Sequence, residues 1–74
     1  MLLKPASSIH MFFMRFPIDV VFVARDGKVV KIAPNVRPWG IAAARGAKMA
    51  LELPAGEVGR RGIEVGERLD VGQV

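Results

Sequence analysis

The sequence predicts a mainly β domain with one short helix, its strands forming a small barrel-like antiparallel sheet. Three observations carry that prediction. An Asp26-Gly27 pair stands between two β-branched runs, Ala47 to Leu53 alternates apolar with polar side chains, and Ala55 to Arg61 reads as about two helical turns.

In chain order, a first strand is read through Ile9 to Phe16, ending at Pro17, which removes a ladder donor and favours a bend or an edge. As a strand it puts Met11, Phe13 and Arg15 on one face and Phe12, Met14 and Phe16 on the other. Most of these side chains belong in a core; a set left outside it makes a patch for self-association or an apolar ligand. Ile18 to Arg25 and Lys28 to Ala33 then form a hairpin closed by a two-residue type I′ turn at Asp26-Gly27. That turn would oppose Val23 to Val30, Phe22 to Lys31 and Val21 to Ile32. Val21, Val23, Val30 and Ile32 then share one face, and Ile18, Val20, Phe22, Ala24 and Val29 share the other with Lys31. Both faces are mostly apolar, so a curled sheet or a second subunit is expected to cover them.

Pro34 to Gly46 is the only long connection, and it carries Arg37 and Trp39. Long loops in small domains are often functional; the plainer role is a lid, with Trp39 and Ile41 folded over an open barrel end. Ala47 to Leu53 follows as a strand with Met49, Leu51 and Leu53 on one side, and Pro54 ends it. Gly56 and Gly59 weaken the helix over Ala55 to Arg61, so Val58 must dock it on the sheet. Gly62 is placed for a left-handed helix end, Ile63 returns to the core, and Gly66 turns the chain into a last strand, Glu67 to Val71.

The 74 residues make a single domain, 1–74, with 51% hydrophobic residues and no cysteine. A core this small seldom supplies more than about 3–5 kcal/mol unaided, so tight packing or oligomerisation has to replace disulfides. His10 is the one histidine, which excludes a structural zinc site of the usual ligands, and no cofactor is implied. The most apolar stretch, Ile9 to Val23, is broken by Arg15, Pro17 and Asp19, so no membrane span is read and no membrane partner expected. With no secretory signal at the start either, a cytoplasmic location is the default.

Four residues are candidates for ligand binding: Asp19, Arg37, Trp39 and His10. Asp19 shares the face of Val21 and Val23, and a carboxylate aimed at a core must be paired or hydrogen-bonded. Its candidate partners are Arg15, Arg37 or the backbone N–H groups around Pro34 to Val36. The first reading is a staple holding the loop after the hairpin, and the second a ligand or catalytic carboxylate. His10 beside Ser7 and Ser8 does not make a triad, since no nucleophile elbow or oxyanion hole accompanies it, and no catalytic residue is assigned. The +4 charge, from 11 Lys and Arg against 7 Asp and Glu, is diluted in the second half by interleaved glutamates, which disfavours nucleic acid as a partner.

The order and spacing of His10-Met11, Pro17-Ile18-Asp19, Asp26-Gly27, Leu51-Glu52-Leu53-Pro54-Ala55-Gly56 and Gly62-Ile63-Glu64-Val65-Gly66 resemble domain-of-unknown-function family 192, also catalogued as uncharacterised protein family 0127. The family has no established activity, so the resemblance implies a fold and not a reaction. This chain resembles the C-terminal two-thirds of the family domain and lacks the usual N-terminal segment. Such a loss exposes a sheet edge, which a second copy can repair, so a homodimer is expected. Many members read Trp-Met-Lys-Asn-Thr where His10-Met11-Phe12-Phe13-Met14 stands here, which shifts weight from chemistry to packing. The resulting expectation is a non-enzymatic binding or accessory module, with a possible small-molecule ligand. The alternatives are an enzyme with a carboxylate-centred site and a weak nucleic-acid binder.

Overall fold

A computed structural model describes residues 2–4, 7–10, 16–37 and 40–69. Strand β1 covers Leu2–Lys4, β2 Ser8–His10, β3 Ile18–Val23, β4 Val29–Val36, β5 Ile41–Ala43 and β6 Met49–Pro54, and helix α1 covers Glu57–Arg61. Four strands form one antiparallel sheet in the order β1-β6-β3-β4, and β2 pairs with β5 in a separate two-stranded ribbon. The mainly β prediction with one short helix is correct, but the sheet is not a closed barrel. The outer edge of β4 is taken at its start by residues 66–69 and not by β1: Gly66 N–H donates to Val29 O, Val29 N–H to Glu67 O and Leu69 N–H to Gly27 O, each at 2.8 Å. Of the expected last strand, residues 67–69 are described, with a bridge between Lys28 and Arg68; Asp70 and Val71 lie outside the described residues.

The central hairpin follows the predicted pairing of Phe22 with Lys31 and Val21 with Ile32, then departs from it towards the turn, where Val23 opposes Val29. Gly27 N–H donates to Ala24 O and Ala24 N–H to Lys28 O, both at 2.9 Å, so Arg25, Asp26 and Gly27 make a three-residue loop. Only Gly27 of these has positive φ, at 93°, whereas a type I′ turn needs positive φ at both central residues. The extra residue flips two side chains. Val29 packs with Val21 and Val23, and Val30 packs on the other face, the reverse of the prediction.

Both faces of the sheet are covered by the chain itself. Ile18, Val20 and Phe22 of β3 with Ala50 of β6 meet Ala42, Ala44 and Ala47 from β5 and the turn after it. On the opposite face Val21, Val23, Val29, Leu51 and Leu53 meet Val58 of α1, with Ile63 and Leu69 at the margin. The helix ends as the sequence predicts, at Gly62 with φ 69°, and Ile63 N–H closes on Val58 O at 3.1 Å. Strand β5 falls inside what reads from sequence as an unbroken loop. Its three residues are short and alanine-rich, with little β propensity, and they are held by pairing with Ser8–His10. In the predicted strand Ile9 to Phe16, Ile9 and His10 belong to β2, Phe16 is an exposed bend, and residues 11–15 lie outside the described residues.

Candidate functional site

Among the described residues Asp19 is the buried charged one, 2% exposed, on the central strand β3. Alternation sends its side chain to the face covered by α1. Its neighbours in the register explain what it meets there. Ile18 opposes Val36 and Val20 opposes Ala33, so Pro34 and Asn35 together stand opposite Asp19 as a bulge. Pro34 has no N–H to lose, and Asn35 takes a left-handed φ of 53°, a conformation asparagine tolerates. That rotation aims Asn35 N–H at Asp19 Oδ1, 2.9 Å away.

The other carboxylate oxygen reaches the start of the helix. Gly56 N–H and Val58 N–H donate to Asp19 Oδ2 at 3.0 and 3.1 Å. Gly56 occupies the N-cap position and has no side chain with which to cap, so the free amides of the first turn take their acceptor from the strand beneath. One carboxylate therefore joins the bulge of β4, the centre of the sheet and the helix that covers it. Of the partners expected from sequence, the backbone around Asn35 is confirmed, Arg37 is exposed two residues further on, and Arg15 lies outside the described residues. The Gly56 and Val58 donors were not anticipated. The available signal was a glycine at the N-cap of a helix that needs an acceptor.

Of the remaining candidates, the backbone of Arg37 and of His10 comes to one end of the sheet. Ile18 pairs with both Val36 and Pro54, so the start of β3, the end of β4 and the end of β6 come together. Arg37 follows, exposed, in a turn closed by Gly40 N–H to Arg37 O at 2.9 Å, and Ile41 then opens β5 directly opposite His10. The backbone thus brings His10 and the Arg37 turn to one corner, together with exposed Phe16 and Ile41. Asp19 points away from the ribbon of β2 and β5, since Ala42 of that ribbon packs on the opposite face with Ile18 and Val20. Trp39 lies outside the described residues.

Charged groups elsewhere are organised around α1. Glu57 accepts from Arg60 Nε at 2.6 Å and from Arg61 Nε at 3.0 Å. Those bonds, the one from Arg60 first, hold its carboxyl down at about 2 and raise Arg60 above its ordinary value. Among the described residues no group of three or more His, Cys, Asp or Glu could hold a metal, and no helix is long and apolar enough to cross a membrane.

The profile of the DUF192 family, described as Uncharacterized ACR, matches residues 1–71. A UPF0127 protein of Thermococcus sibiricus is 38% identical over 65 residues, covering 86% of this chain and 42% of that protein. A UPF0127 protein of Pyrococcus furiosus is 37% identical over 65 residues, covering 86% of this chain and 55% of that protein. The chain therefore spans about half the length of these curated relatives. No solved structure matches it.

Proposed function

We propose that this chain, which belongs to the DUF192 family, is a small non-enzymatic binding or accessory module. The observation that supports this reading is the use made of Asp19. An enzyme with a carboxylate-centred site needs oxygen lone pairs aimed at a substrate, whereas both oxygens of Asp19 are engaged by three main-chain N–H groups beneath the helix. Binding then falls to the corner that carries Arg37 and His10, where a small molecule meets an exposed cation, with Trp39, two residues from Arg37 in sequence, as the proposed aromatic contact. Exposed Ile41 and Phe16, 65% and 57% accessible, stand at the same corner and support a homodimer made through it. The cysteine-free composition supports a cytoplasmic location.

The test is Asp19→Asn, which keeps the shape and removes the charge that the three amides share. Its melting temperature falls well below that of the native chain if the carboxylate is a staple. An unchanged melting curve would return Asp19 to ligand or catalytic work.

A further inference from the structure

The end of the sheet opposite the Arg37 corner carries a different chemistry. Val23 pairs with Val29 and with Met49, so the hairpin loop and the start of β6 share that end, and Lys48 N–H donates to Val23 O at 2.9 Å. The turn before β6, closed by Ala47 N–H to Ala44 O at 3.4 Å, adds Arg45. Arg25, Lys28, Arg45 and Lys48 are all exposed there, and no acceptor among the described residues pairs with their side chains. The acid in this hairpin loop is Asp26, and it is already engaged: Lys28 N–H donates to its Oδ1, and Arg68 Nη2 to its Oδ2, both at 3.0 Å. Glu67, next to Arg68, is turned onto the Glu64 N–H at 2.9 Å. The cations of α1 differ, since Arg60 and Arg61 already share Glu57.

We propose that this hairpin end docks the phosphate backbone of a double-stranded nucleic acid. Neighbouring strands stand about 4.8 Å apart, so the row from Lys48 across the hairpin to the Arg68 bridge spans about 14 Å. The four unpaired cations on and beside that row, Arg25, Lys28, Arg45 and Lys48, can each neutralise one phosphate, which gives about four contacts. An acidic protein partner is the weaker fit, because protein interfaces are anchored by buried apolar or aromatic side chains. Among the described residues the exposed large apolar side chains are Phe16, Ile41 and Val65, and they belong to none of the turns that carry these cations. With no aromatic residue in those turns, the contact is to phosphate and not to stacked bases, so it is insensitive to sequence.

This inference concerns the end of the sheet opposite the proposed small-molecule corner and goes beyond that reading, and its test is separate from the melting of Asp19→Asn. Binding of the whole chain to a labelled 20-base-pair DNA duplex, an RNA duplex of the same sequence and polyglutamate is followed by anisotropy across a salt series. Four phosphate contacts predict a log–log salt slope of about −3.6 on the DNA duplex. Arg25→Gln combined with Arg45→Gln should bring it to about −1.8, while Arg60→Gln combined with Arg61→Gln leaves it unchanged. Binding to DNA alone, RNA alone or both supports the proposal and selects its source. Absence of duplex binding at low salt overturns it, as does equal weakening by the two double variants, or polyglutamate binding as tightly as the duplexes. Melting curves confirm that each variant folds; if the first pair does not, Lys28→Gln with Lys48→Gln takes its place under the same outcomes.

Discussion

The two faces of the central sheet are closed in opposite ways. One is covered by a ribbon whose contacts are Ala42, Ala44 and Ala47, so side chains are small, the backbone comes close, and Phe22 fills the space between. The other carries Val21, Val23, Leu51 and Leu53 and is covered by a five-residue helix that has little stability of its own. The first face needs no buried carboxylate, because the ribbon is held by its own strand pairing and by Lys31 Nζ donating to Ala43 O at 2.7 Å. The second needs a carboxylate beneath the helix. The difference teaches that a short glycine-bearing helix can serve as a lid when the sheet it covers supplies its N-terminal acceptor.

Emptying the first face has the largest expected effect. Phe22→Ala removes the largest fully buried side chain among the described residues and should cost about 3–5 kcal/mol, as much as a core this size supplies, leaving a chain without a cooperative melting transition. Releasing the second lid is next. Asp19→Ala leaves three amides without their acceptor and should cost on the order of 3 kcal/mol, with a dye that binds exposed apolar surface reporting Leu51 and Leu53. Gly27→Ala follows at about 2 kcal/mol, because φ is 93° and a Cβ there would collide with the Leu69 carbonyl oxygen, pushing residues 66–69 off the sheet edge. Gly62→Ala meets the same backbone preference with open space around it, so its penalty, read by denaturant melting, should be only about 1 kcal/mol.

The smallest effect is one of pH. The Glu57 carboxyl sits at about 2 in the folded chain against 4.5 ordinarily, so its contribution is fully present above 4.5 and is lost as pH falls from there through about 2. Glu57→Gln should remove that part of the acid dependence and lower stability by a constant amount above about pH 5, leaving the slope there unchanged. A change of slope in the near-neutral range would place the interaction elsewhere.

Much of this division was legible in the residues. Period-two alternation assigned Phe22 and Val21 to opposite faces, Gly62 marked the helix end, and inward-facing Asp19 announced that backbone donors must come to it. What was not legible depended on one-residue shifts and on distant partners. Asp-Gly serves a three-residue loop as readily as a two-residue turn, and only the packing of residues 66–69 on Gly27 distinguishes them. Strand β5 has no periodicity of its own and exists through pairing with β2. Charges that alternate along the chain are separated in space, since Glu57 turns to Arg60 and Arg61 while Arg25, Lys28, Arg45 and Lys48 gather at the hairpin end.

The central claim is that one carboxylate holds the helical lid, and amide hydrogen exchange of Asn35, Gly56 and Val58 measures it most directly. All three should be protected in the native chain and should exchange much faster in Asp19→Asn, while the amides of Val21 and Leu51 in the sheet keep their protection relative to global unfolding. If Gly56 and Val58 exchange in the native chain as fast as the exposed turn at Arg45, the carboxylate does not hold the lid and the claim is wrong.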